Sequence, residues 1–191
     1  MRQCKNCDVE NTNEAKFCAG CGKELVTEPQ EDIASEQKNL QGLGGWLILV
    51  GFGIIASPFI MIAQLIPIYS DIFESGAWDL LTTPGSELYT PGFSIFLATE
   101  SLVNALMLIA WLYIAFLFFT KKSNFPKWYI GILIFTPAFL FIDALMSGSI
   151  FPNEEMFDQG TVKEIGRGIF GGIIWTWYML VSKRVKATFV K

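Results

Sequence analysis

The sequence contains no histidine. That excludes the serine–histidine–acid triad, histidine-ligated catalytic zinc and histidine-held haem. Charge is also scarce: charged residues make up 17% of the 191 positions, against about 25% in an ordinary soluble domain. There is no basic surplus, with 14 bases against 18 acids, so a nucleic-acid-binding surface is not expected. No phosphate-cradling glycine loop, paired nucleophile and base, or membrane metalloprotease pattern occurs. No enzyme is therefore expected. What the chain has in excess is apolar surface, 52% of residues with 17 Phe and 6 Trp, which rules out a disordered polypeptide.

The apolar residues are unevenly placed. Residues 1–41 are polar, and from Leu43 onward long apolar runs dominate. The first, 43–69, has no charged residue, and since about 20 helical residues cross a bilayer core, it is long enough to span. It is also too long, and begins too late, for a cleavable signal. Three further runs, 93–120, 128–147 and 165–181, carry one clear ionisable residue each: Glu100, Asp143 and Arg167. Runs of this length without strict alternation are helices rather than membrane strands. The expected fold is all-α, with four transmembrane helices in residues 42–191 and Pro58 and Pro137 tolerated as kinks.

Loop charge sets the expected orientation. The connection after the second run holds Lys121, Lys122 and Lys127, and the tail holds Lys183, Arg184, Lys186 and Lys191, in both cases without an acid. Residues 70–92 hold Asp71, Glu74, Asp79 and Glu87 without a base, and residues 148–164 hold four acids against Lys163. By the positive-inside rule both termini face the cytosol. Trp46, Trp128, Trp175 and Trp177 fall toward the inner ends of the helices, as interfacial aromatics do. Lys183, Arg184 and Lys186 become candidate contacts for anionic lipid headgroups, with topology anchoring as their simpler use.

The polar head carries one chemical motif. Cys4-Lys-Asn-Cys7, ten residues, then Cys18-Ala-Gly-Cys21-Gly22 use every cysteine in the chain. Two Cys-x-x-Cys turns bring four thiolates to one ion, the tetrahedral sulfur set that structural zinc favours. A redox pair would need a surrounding strand–helix–strand unit, which is lacking. Four sulfurs leave no open coordination position, so the zinc is structural and supplies most of the folding free energy of so short a segment. The expected domains are a ribbon at 1–24, a flexible acidic linker at 25–41 and the membrane domain. Bases and acids balance at four each in residues 1–24. The ribbon is thus expected to bind protein rather than nucleic acid.

Two resemblances follow from these residues. The Phe17-Cys18-Ala19-Gly20-Cys21-Gly22 half resembles the short zinc-ribbon modules at the start of many bacterial membrane proteins, which implies a docking or folding role. Asp8 departs from that pattern, standing where glycine commonly follows the second cysteine. The segment Gly42-Leu43-Gly44-Gly45-Trp46-Leu47, then Ser57-Pro58, and the closing run from Tyr178 to Val190 resemble the bacterial inner-membrane proteins of domain-of-unknown-function family 2569. That resemblance implies four helices and a bacterial plasma-membrane address, and it brings no activity.

Within the membrane domain Glu100, Asn104 one turn further on, Asp143 and Arg167 are the candidate polar cluster, because charge at membrane depth usually faces protein or water. Two uses are open. Arg167 pairs with Glu100 or Asp143 and fixes helix packing, or an unpaired carboxylate binds a proton or cation and the cavity around it handles a solute. Gly168 and Gly172 are spaced for close helix contact, within the chain first and in a homo-oligomer second.

Overall fold

A computed structural model describes residues 1–25, 41–152 and 155–191. The expected linker therefore lies, apart from its two end residues, outside the described residues. The chain divides into two compact units, Met1–Gln41 and Gly42–Lys191. In the first, β1 (Arg2–Gln3) pairs antiparallel with β2 (Glu10–Asn11), Arg2 opposite Asn11 and Gln3 opposite Glu10. A second small hairpin is closed by a bridge between Phe17 and Glu24.

The second unit is helical: α1 (Trp46–Glu74), α2 (Ala77–Thr82), α3 (Phe93–Phe119), α4 (Phe125–Ile150), α5 (Gln159–Val181) and α6 (Lys183–Thr188). Three of these, α1, α3 and α4, are long and apolar enough to cross a membrane. At 29 residues α1 is about 44 Å long, longer than the hydrocarbon core of about 30 Å. It runs on past residue 69, so Asp71 and Glu74 ride on its final turn rather than in a loop. The fourth expected span, 165–181, is also helix, but α5 begins at Gln159. Among the described residues three helices are long and apolar enough to span and a fourth span is not shown, because Lys163, Glu164 and Arg167 lower the hydropathy of α5 near its start. Asp158 caps α5 by accepting the Thr161 N–H at 2.8 Å. Donation from Thr161 holds that carboxyl below its ordinary range.

Pro58, Pro67 and Pro137 lie inside helices without ending them. Beside two of them a hydroxyl bonds back to the preceding turn, Ser57 to the Gly53 carbonyl at 2.8 Å and Thr136 to the Ile132 carbonyl at 2.9 Å. Such local partners are how lipid-embedded helices accommodate proline.

The helices pack in chain order, α1 on α3, α3 on α4 and α4 on α5. Glycines set the closest approaches. A Cβ on Gly51 would come within 2.8 Å of the Phe118 ring, and one on Gly172 within 3.3 Å of the Leu133 carbonyl oxygen. Gly168 faces Pro137 in the same seam. The close face of the Gly168–Gly172 pair is therefore taken by α4 of the same chain.

The buried core gathers at one end of the bundle. It joins Leu47, Val50 and Ile54 from the start of α1, Ile114, Leu117 and Phe118 from the end of α3, and Phe125, Tyr129 and Ile132 from the start of α4. Met179, Val185 and Phe189 complete it from the C-terminal side. Phe189 stacks on Phe125 with ring centroids 4.3 Å apart and lies 5.8 Å from Phe118. Backbone and side chain tie the tail down as well. Thr188 exchanges hydrogen bonds with Gly42, its hydroxyl accepting from the N–H at 3.1 Å and donating to the carbonyl at 3.2 Å. The Ser123 N–H donates to the Lys191 carbonyl at 2.6 Å.

Two stability outcomes follow. Phe189→Ala should destabilise the detergent-purified protein by about 3 kcal/mol, because it empties an aromatic site that cannot collapse. Val190→Ala, at an exposed neighbour, should stay within about 0.5 kcal/mol. Gly172→Val should cost about 1–3 kcal/mol by overpacking the α4–α5 seam. Equilibrium unfolding in mixed detergent measures all three.

Candidate metal centre and polar cavity

The head is built as two similar turns. In the first, the Cys4 N–H donates to the Val9 carbonyl at 3.0 Å and the Asp8 N–H to the Cys4 carbonyl at 2.8 Å. In the second, the Cys18 N–H donates to the Lys23 carbonyl at 2.8 Å and the Gly22 N–H to the Cys18 carbonyl at 2.9 Å. The residue after each second cysteine is left-handed, Asp8 at φ 59° and Gly22 at φ 67°. Asp8 thus adopts the conformation that glycine usually supplies, and the first turn keeps its geometry despite the departure noted in the sequence.

The turns bring the Sγ atoms of Cys4, Cys7, Cys18 and Cys21 within 4.8 Å of one another. Cys4 and Cys21 are 3.7 Å apart, and Cys7 and Cys18 are 3.4 Å apart. A tetrahedral ion with metal–sulfur bonds of about 2.3 Å would hold its sulfurs about 3.8 Å apart, so the set fits a metal ion. Asn11 supports it from the side. Its amide donates to the Val9 carbonyl at 2.8 Å and lies 3.6 Å from the Cys18 sulfur, while its carbonyl oxygen accepts from the Ala19 N–H at 2.8 Å. The Gly20 N–H also points at the Cys18 sulfur, at 3.3 Å.

These donors divide the thiols. Cys18 is drawn down to about 6, first by the Cys21 backbone N–H and then, against desolvation, by Gly20, Cys7 and Asn11. Cys21 is lowered chiefly by the Lys23 backbone N–H. Cys7 is pushed up to about 12: hydrogen bonding with the Val9 backbone pulls downward, but the neighbouring thiols of Cys21 and Cys18 together with desolvation outweigh it. A metal that takes all four sulfurs must therefore displace protons, and its affinity weakens as pH falls.

In the helical unit, Glu100, Asn104 and Asp143 line one cavity of about 1010 Å³ between α1, α3, α4 and α5. Glu155, Asp158 and Glu164 line it too, and no lysine or arginine does among the described residues. Arg167 is not on this wall; its side chain is exposed. Arg167 therefore does not join Glu100 and Asp143 on this wall. They gather carboxylates from three segments around one space, at the end of the bundle opposite the aromatic core. Sequence reasoning left Glu164 in a loop. Asp158, a capping residue just ahead of the apolar run, was the available signal that α5 starts earlier. Nearby, the Tyr69 hydroxyl bonds the Ser101 hydroxyl at 2.6 Å and ties α1 to α3, a contact no local pattern marks.

The tail bases divide in two. Lys183 and Lys186 are exposed and free to meet headgroups. The Arg184 guanidinium instead lies over the glycines before α1, where a Cβ on Gly44 would come within 3.0 Å of its Nη1.

Chelation of the full chain should unfold the head and spare the helices. With a strong chelator, limited proteolysis should open cleavage within residues 1–25 while the far-ultraviolet helical signal persists. Asp8→Gly should make the head harder to open, by about 0.5–1 kcal/mol, by relieving the left-handed backbone. Asp8→Val should do the reverse. The chelator concentration for half-cleavage reads both.

Among curated proteins and among solved structures, nothing matches the chain. One family model does, over residues 40–190, the helical unit from before α1 to the docked tail. Its description is "Protein of unknown function (DUF2569)". On that match, which covers every helix of the second unit, the chain belongs to the DUF2569 family.

Proposed function

We propose that this is a multi-pass protein of the bacterial inner membrane that acts by protein contact rather than by catalysis, as an adaptor, sensor or assembly component. Its four-cysteine head, held by structural zinc in the cytosol, is the docking module. The observation that carries this reading is the closed sulfur set: four thiols are within reach of one ion, so every position of a tetrahedral metal is filled and none remains for substrate. The head also offers an apolar handle. Phe17, beside the second turn, is 60% exposed, and exposed aromatics on small modules commonly serve as anchors for a partner.

The membrane topology belongs to the same proposal. With α5 as a fourth span, both termini lie on one side, in accord with the acid-free stretches 121–127 and 183–191. At 23 residues α5 reaches about 35 Å, enough to cross. Lys163 and Arg167 near its start can snorkel to the interface. The close seam of Gly168 and Gly172 against α4 supports a helix packed within the bundle rather than beside it.

A second reading is favoured by one observation, the carboxylate-lined cavity. A space of about 1010 Å³ with Glu100 and Asp143 on its wall suits a proton or a cationic solute, which would make the protein a small transporter or transport accessory. Carboxylates rather than imidazoles would then carry any proton.

Affinity capture from native membranes separates the two. Phe17→Ser should lose the partners that the intact protein captures while keeping its bound metal, as measured by mass spectrometry, and Cys18→Ser should lose both. Identical partner lists for all three proteins would overturn the docking role. For the second reading, Glu100→Gln should abolish cation or proton flux in reconstituted vesicles, and an unchanged flux would remove it.

A further inference from the structure

We propose that the groove between α3 and α4 holds one acyl chain of an anionic phospholipid, with the lipid phosphate at Lys127. The groove has a volume of about 480 Å³, and Met107, Ala110, Gly131 and Phe135 form its walls, with Lys127 and Trp128 at one end. Its depth matches one leaflet. From Lys127 to Phe135, α4 advances about 12 Å, and from Val103 to Ile114, α3 advances about 16 Å. Half of a hydrocarbon core is about 15 Å.

The groove is a shape written by sequence. Gly131 lies mid-helix, where glycine is usually unfavourable, and a Cβ there would meet nothing within 4 Å. It packs against no neighbour. Its effect is to leave a channel open between two apolar helices, the place where a flexible hydrocarbon chain fits and a protein side chain is absent.

The mouth supplies the charge. Lys127, in the first turn of α4, follows the connection that holds Lys121 and Lys122, with no acid between them. A basic cluster at this depth attracts anionic headgroups, and the long lysine stem lets the ammonium reach the phosphate plane while its methylenes stay in contact with the chain below. Trp128 is fixed beside it. Its ring meets Tyr113 of α3 edge-on, with centroids 5.1 Å apart. That pair spans the two helices at the mouth and sets the interfacial level, as tryptophan and tyrosine do at a membrane surface. The charge of the mouth decides the occupant: a zwitterionic lipid could fill the groove equally well and would gain less at Lys127. The inference rests on α3 and α4 being spans and is independent of the head, so its failure would leave the docking role untouched.

The test is native mass spectrometry of the full chain in mild detergent, with phosphatidylglycerol and phosphatidylcholine of equal chain length as probes. The wild-type protein should retain one phosphatidylglycerol about fivefold better than phosphatidylcholine, the advantage one basic residue gives at an anionic headgroup. Lys127→Gln should erase that preference while some binding persists. Gly131→Phe, which fills the channel, should lower retention of both lipids, whereas Ala138→Phe, in the neighbouring α4–α5 groove, should change neither. Equal retention of the two lipids by the wild type, or a Lys127→Gln protein that keeps its preference, would overturn the proposal. So would a chain dimer that Gly131→Phe dissociates, because a second copy would then occupy the face. Lys127→Gln changes an exposed side chain, so the test stands even where Gly131→Phe fails to fold.

Discussion

Helices in lipid gain nothing by hiding apolar surface from one another, so a membrane bundle is held where backbones and rings fit closely. In this chain the closest ring contact among the described residues is Phe189 on Phe125, and with Phe118 the pair forms the aromatic part of the core on which the sealed end of the helical unit depends. Phe118 also fills the space that Gly51 leaves on α1, so one ring joins α1, α3, α4 and the tail. The tail is therefore a structural element of the bundle, although it reads as a basic extension. Its lysines face outward while Val185, Thr188 and Phe189 are buried. One six-residue helix serves as both a charged surface and a plug.

A bundle sealed at one end by rings is free to open at the other. The cavity lined by Glu100, Asn104 and Asp143 lies where the core does not, and its further carboxylates come from the approach to α5 and its first turns. Carboxylates in hydrocarbon would be prohibitively costly, whereas in a cavity wide enough for water they are tolerable. The absence of a lysine or arginine on the described wall matters here. Without a cation to neutralise them, these groups depend on water, on protons or on a cationic guest, and that is why the cavity is the feature to which any transport hypothesis must attach.

The legibility of the sequence followed the range of the physics. Cysteine spacing is local, so the metal-ligand set could be read from Cys4, Cys7, Cys18 and Cys21 alone, and the structure brings those four sulfurs together. Long apolar runs are nearly local, so α1, α3 and α4 were readable to within a few residues. The start of α5 was not, because hydropathy falls through Lys163, Glu164 and Arg167 while the helix, already capped by Asp158, continues. The earlier start puts Glu164 on the helix, where it lines the cavity, whereas Arg167 is exposed and does not. Phe189 on Phe125 was invisible for another reason. Sixty-odd residues separate them, and nothing in a basic tail announces that Phe189 turns inward while Val190 beside it does not.

The two units answer to opposite physics. Some 24 residues cannot bury enough apolar area to fold unaided, so the head is organised around four converging sulfurs that fit one metal ion, and its hydrogen bonds from Asn11, Gly20 and Lys23 aim them. The helical unit has no metal-ligand cluster among its described residues and depends instead on shape: glycines where backbones meet, rings at the sealed end, hydroxyls of Ser57 and Thr136 beside the prolines. Perturbations should consequently be separable. Chelation should reach the first unit through its thiols, while lipid composition should reach the second through its apolar grooves. A protein joined from two such parts can lose its head's structure and keep its helical unit intact.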